Sequence, residues 1–142
     1  MLALLLTAAL CQTPSEDCRL AKTDASSAMA YADIAKTKAI EAKNSYLAKR
    51  GNQPMVPNDG SDGAQQCFGL GEQANAAALS WYQQGLMAES MGAMFAWINQ
   101  AAASGYYLTA TQSFVQSRRY GNDAETFFKL AKTQWDLAKS WY

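Results

Sequence analysis

Residues 21–46 read AKTDASSAMAYADIAKTKAIEAKNSY, and the placing of alanine within them decides the fold. Ala21, Ala25, Ala28, Ala32, Ala35, Ala39, Ala42 and Tyr46 follow a strict 4-3 alternation. That spacing lies on one face of an α-helix and, sustained this long, is a heptad seam against another helix. Bulky side chains usually hold such a seam. Alanine instead lets a neighbouring backbone come close, because interaxial distance follows side-chain size. Alanine is also a good helix former, but propensity alone would not keep its phase. Met29, Tyr31, Ile34 and Ile40 flank the seam and are expected to widen it, with Thr23, Thr37 and Asn44 opposite.

Both ends of this helix are marked. Thr13-Pro14-Ser15-Glu16 is a capping box with proline at the first helical position. The Thr13 hydroxyl can accept from the Glu16 amide, and the Glu16 carboxylate can reach back to the Thr13 amide. Lys49-Arg50-Gly51 sets cations near the last carbonyls, then a glycine for the left-handed cap. The helix therefore spans about residues 14–50.

Ahead of it, Leu2 to Leu10 is a short apolar run. It falls well below the roughly 20 residues a bilayer span needs and fits the core of a signal peptide, so residues 1–11 are read as an export signal. Thr7 and Ala9 offer one cleavage site, and Ala9 with Cys11 a second. No Lys or Arg precedes the run. In a competing lipoprotein reading Cys11 carries an acyl chain, although Leu10 stands where a small residue is expected. Either way Cys18 and Cys67 remain as a candidate disulfide, within or between chains, consistent with an exported protein. The pairing depends on topology. If helix two begins near Ala64 and runs antiparallel to helix one, the two cysteines lie at opposite ends, beyond the roughly 7 Å a bridge allows between Cα atoms. If residues 51–71 instead return along helix one, they can meet.

Residues 51–71 hold two of the prolines and a cluster of glycines and are expected to form a loop. Asn58 to Gly63 faintly resembles a calcium loop but lacks the third-position ligand and the closing Glu; a turn with Asx chemistry is the better reading. No proline follows Pro57. A second seam runs through Gly71, Ala74, Ala78, Trp81, Gly85, Ala88, Gly92, Phe95, Asn99 and Ala102. A third runs from Tyr107 through Ala110, Phe114, Ser117, Gly121, Ala124, Phe128, Ala131, Trp135 and Ala138 to Tyr142. Rings on one helix can fill gaps over Ala or Gly on the next. Ser104-Gly105 marks the expected turn, giving helices over about 72–103 and 106–142. Arg118 to Glu125, with Gly121 and a second capping box at Asn122, marks a break near residue 121 that the seam's phase argues is a kink. The predicted fold class is all-α: residues 12–142 form one antiparallel bundle of three long helices, four if that break is complete, with Ala/Gly-rich heptad seams and interleaved aromatics.

Composition narrows function. Among 142 residues, 12 Lys and Arg balance 12 Asp and Glu, which leaves no electrostatic footprint for nucleic acid. Histidine is absent, removing the usual general base and metal ligand. No nucleophile has an evident activating base, so no enzymatic activity, cofactor or metal is expected. Between Gln73 and Ser117 the only charged residue is Glu89. Interfaces favour aromatics and disfavour Lys and Glu, so Trp81, Tyr82, Trp97, Tyr106 and Tyr107 are interface candidates. Glu89, a lone acid in an apolar segment, reads either as a residue that points to solvent or pairs with a lysine from another helix, or as a ligand-binding or proton-linked site, the first being the commoner case. These features point to an exported structural or assembly protein of the periplasm, cell envelope or extracellular space. It would self-associate as a homo-oligomer or dock to an envelope protein, with no transmembrane span. The alternative is a bundle that binds a small apolar ligand between helices, lined by Met87, Met91 and Met94.

Overall fold

A computed structural model describes residues 13–142; the signal-peptide and Cys11 lipidation readings fall on residues outside it. The described chain forms three helices packed against one another: α1 (Pro14–Arg50), α2 (Ser61–Phe95) and α3 (Gln100–Lys139). Arg118 to Glu125 continues α3 as helix, so Gly121 ends no element.

α1 keeps the bounds its end signals predict. The Thr13 hydroxyl accepts from the Glu16 amide at 3.3 Å, and Gly51 adopts φ +53° as its amide bonds back to the Leu47 carbonyl. The Glu16 carboxylate turns instead to Arg19, one helical turn on, leaving the other half of the capping box unused. Ala25, Ala28, Ala32, Ala35, Ala39, Ala42 and Tyr46 are all buried. The flanks differ from expectation, because Tyr31, Ile34 and Ile40 stand exposed. A strip of alanines lets one helix press closely, and a three-helix bundle leaves the outer flank of that contact without a neighbour.

The loop ends eleven residues earlier than its glycines suggest. Gly63, Gly69 and Gly71 all lie within α2. Gly63 and Gly71 make room, since a Cβ there would stand 2.8 Å from the side-chain amide oxygen of Gln134 and 2.7 Å from the Phe128 ring. The second turn also moves. It falls at Ala96–Asn99, where the Asn99 side chain caps α3 by accepting from the Ala102 amide at 3.1 Å. Ser104-Gly105 lies inside α3.

Side-chain pairs set the directions. Lys22 of α1 meets Glu89 of α2 at 2.8 Å, while Lys43 meets Gln65 at 2.9 Å, so these helices run antiparallel. Arg118 reaches Asp24, and Lys139 donates to Ser45, so α3 runs alongside α1 in the same sense. α3 packs closely on both others. α1 and α2 stand further apart, and rings of α2 meet rings of α3: Phe68 lies 5.2 Å from Phe128 and 5.6 Å from Trp135, and Tyr82 lies 5.3 Å from Phe114, centroid to centroid.

The α2–α3 contact follows one register. Phe128 sits over Gly71, Phe114 over Gly85 and Tyr107 over Gly92, each ring carbon within 2.6–2.9 Å of where a Cβ would be. Midway, Gly121 lies against Ala28 of α1, and the Ser117 hydroxyl donates to the Ala78 carbonyl at 2.7 Å. Rings thus alternate with near-backbone contacts along the bundle.

Antiparallel α1 and α2 settle the cysteines. Cys18 is buried beside Glu89, whereas Cys67 packs near Trp135 at the other end, and both thiols are free. The intrachain Cys18–Cys67 disulfide is therefore corrected: the bundle holds the two apart by most of its length.

Candidate interaction surface

The half of the hairpin nearest the α2–α3 turn carries almost no charge. Glu89 alone interrupts it, and Lys22 of α1 takes that carboxylate at 2.8 Å, with the Cys18 thiol donating to its other oxygen at 3.6 Å. Burial, then the Glu89 charge, pushes the Cys18 thiol up to about 11, so it stays protonated and inert at neutral pH. Glu89 itself is thus an intramolecular ion-pair member.

The five aromatic interface candidates separate into two groups. The Tyr107 ring fills the space over Gly92. Tyr82 lies on Phe114 and shares a hydrogen bond with Ser26 at 3.0 Å, so it joins the helices of the bundle. Tyr106 stacks on Phe95 at 5.4 Å, and Trp81 is half-buried. Trp97 alone is free, 96% exposed at the hairpin tip, with Ile98 beside it at 77%. Composition could not separate these two groups, because the separation depends on which side of each helix meets a neighbour.

Residues the aromatic count passed over complete the surface. Leu79, Met87 and Met94 stand exposed on α2, as Leu108 and Val115 do on α3. At 100° per residue, Leu79, Met87 and Met94 share one face of α2 with Gln83 and Ser90, an uncharged stripe that ends at the tip. The spacing of these residues was available in the sequence; only the assumption that methionine lines an interior hid them.

Two other places hold polar chemistry. At the far end, Asp59 is buried, and its carboxylate accepts from the Tyr46 hydroxyl, the Tyr142 hydroxyl and the Ser61 amide, each at 2.8 Å. Tyr142 in turn accepts from the Val56 amide at 2.9 Å. Burial opposes ionisation, but the bonds from Ser61, Tyr142 and Tyr46 outweigh it and bring the carboxyl down to about 2. The Ser61 bond is the Asx chemistry expected of the turn. This cluster ties the loop, the end of α1 and Tyr142 together. On the outer side of α1 and α3, an open groove of about 250 Å³ is lined by Tyr31, Ile34, Lys38, Glu125, Lys129 and Lys132. Its lysines are partly spent locally, Lys129 on Glu125 at 2.6 Å and Lys132 on Asp136 at 2.7 Å.

Among the described residues no cluster of His, Cys, Asp or Glu could hold a metal ion, and no helix is long and apolar enough to cross a membrane. Fold and surface together define a three-helix bundle with one uncharged flank. No protein-family model, curated protein or solved structure matches the chain.

Proposed function

We propose that the protein is an exported, non-enzymatic structural or assembly subunit that associates with copies of itself through the uncharged flank of the α2–α3 hairpin. One observation carries the reading. Over the span from Gln73 to Ser117 the sole charge is neutralised internally, while Leu79, Met87 and Met94 remain exposed. Contiguous exposed apolar surface rimmed by polar residues is a mark of interaction sites. The sevenfold spacing of Ala64, Gly71, Ala78, Gly85 and Gly92 is read as a heptad seam that brings α3 close and leaves the opposite stripe for a partner. The lack of histidine supports a non-catalytic role.

Of the three methionines of the ligand-binding alternative, Met91 alone is half-buried. Met87 and Met94 face outward, and rings occupy the spaces over the glycines. The assembly reading is tested by size-exclusion chromatography with light scattering. The wild type is expected above its monomer mass of 15.4 kDa, less any removed leader. Met87→Glu with Leu79→Glu is expected at the monomer mass. A wild-type monomer at high concentration overturns the reading. Intact-mass measurement of native material tests export, through loss of the leading residues or acylation at Cys11.

A further inference from the structure

α3 lies alongside α1 in a constant register, and one level of that register sets two lysines opposite each other. We propose that this level is a binding site for a small apolar monocarboxylate. Its headgroup is held between Lys38 and Lys132, and its body is laid over Ile34 and Tyr31.

The register is fixed at two places. Arg118 meets Asp24 at 3.6 Å, and Lys139 donates to Ser45 at 2.6 Å. The members of each pair are 94 positions apart in the sequence. The two pairs are separated by three heptads on both helices, and parallel helices of equal rise keep their offset. Stepping by seven between them therefore sets Tyr31 level with Glu125, and Lys38 level with Lys132. All four residues line one open groove of about 250 Å³, as that register requires. Flanking positions of a parallel helix pair ordinarily carry opposite charges. The outer levels here are complementary, one a salt bridge and the other a hydrogen bond. Two ammonium groups at one level repel instead, and an anion between them removes that repulsion.

Charge and shape set the ligand. Lys38, Lys129 and Lys132 line the groove. Lys129 is taken by Glu125 at 2.6 Å and Lys132 by Asp136 at 2.7 Å. Both are exposed pairs one helical turn apart, a weakly held kind that gives way to a bound anion. Lys38 takes part in none of the salt bridges among the described residues. Three cations against two carboxylates leave one positive charge, which a monoanion neutralises. Each oxygen of a carboxylate can accept from one of the two facing ammonium groups. The rest of the groove is apolar. Ala35 is buried within it, while Tyr31 is 61% and Ile34 51% exposed, so both have free area to lay against a ligand. The levels of Lys38 and Tyr31 are seven residues apart, about 10 Å, which sets the length of the body. At that far end Glu125 repels a second carboxylate, so the site selects a monoacid over a diacid. The groove lies between α1 and α3, and the proposal does not depend on self-association through the α2 stripe.

The test is an NMR titration of the full chain with octanoate, with acetate and octanedioate as comparison probes. Octanoate is expected to shift the amides around Tyr31, Lys38 and Lys132 saturably, with a Kd of about 1 mM or below. Acetate lacks the body, and octanedioate brings a charge to Glu125. Each is expected to bind about tenfold more weakly or worse. Lys38→Gln and Lys132→Gln are each expected to lose about tenfold in octanoate affinity, for one charge-assisted contact apiece. Lys43→Gln, whose ammonium bonds Gln65 of α2, is expected to bind as the wild type does. The repulsion has its own readout without ligand. Lys38→Glu turns the level into an opposite pair, so it is expected to raise the urea midpoint while abolishing octanoate binding. The proposal is overturned if octanoate shifts no amide of the groove or if either lysine-to-glutamine variant of the groove binds as tightly as the wild type. It is equally overturned if Lys43→Gln loses as much, or if acetate or octanedioate matches octanoate. A lower urea midpoint for Lys38→Glu would also overturn it, since the two lysines would then not face each other.

Discussion

Glycine does two different jobs in this chain, and single substitutions tell them apart. At Gly85 a Cβ would stand 2.6 Å from a carbon of the Phe114 ring, which is boxed in by Tyr82 and α3 itself. Overpacking of this kind costs about 1–3 kcal/mol, more than the roughly 1 kcal/mol alanine returns as a better helix former. Gly85→Ala is therefore expected to lower the urea midpoint. Gly69 and Gly105 have no atom within 4 Å of such a Cβ, so alanine there is expected to add about 0.5–1 kcal/mol. Equal effects at Gly85 and Gly69 would refute the ring-over-glycine packing. Asp59 gives the pH dependence. Its carboxyl falls from an ordinary 3.8 to about 2 on folding, so its contribution is in full force above about pH 4 and is lost as pH drops through 2. Asn cannot accept from both hydroxyls and from the Ser61 amide at once, so Asp59→Asn is expected to cost about 1–3 kcal/mol at neutral pH. Its stability curve should also lose the step between pH 4 and 2, which thermal melts of the two proteins would show.

At the scale of elements, α1 was legible to the residue because its signals are local: a hydroxyl cap, a proline, two cations and a glycine within a few positions of each end. The boundaries of α2 and α3 were not, for a physical reason. Gly63 and Gly71 serve side chains that arrive from α3, more than fifty positions away, and nothing near them in sequence separates that role from a turn. The turn at Ala96–Asn99 contains neither glycine nor proline, and its one local sign was Asn99 as a cap. Asp59 was equally hidden as a tie point, since its tyrosine partners lie 13 and 83 positions off. Continuity of α3 at Gly121 has a direct check. Amides from Arg118 to Glu125 are expected to exchange with deuterium as slowly as those near Phe114, because Gly121 is pressed against Ala28 in the middle of the bundle. Fast exchange confined to that stretch would mean a hinge.

For the whole molecule, the antiparallel course of α1 and α2 fixes the state of the thiols. A thiol reagent is expected to leave Cys18 unmodified in the native protein, since its side chain has no exposed surface and it stays protonated. Half-buried Cys67 should react slowly, and both should react fully in denaturant. A Cys18–Cys67 crosslink within one chain of native material would contradict the topology. The alternation of Phe114 over Gly85 and Phe128 over Gly71, with small Ala78 and Gly121 between, has one more consequence. Suppose α3 slipped by a single repeat in either direction. One ring would land on Ala78, while Gly121 would face another glycine across a void. Each misalignment carries a collision and a hole together, so the hairpin is indexed like a key with unequal teeth. Of the three nearest ways to close it, the native one alone avoids both faults.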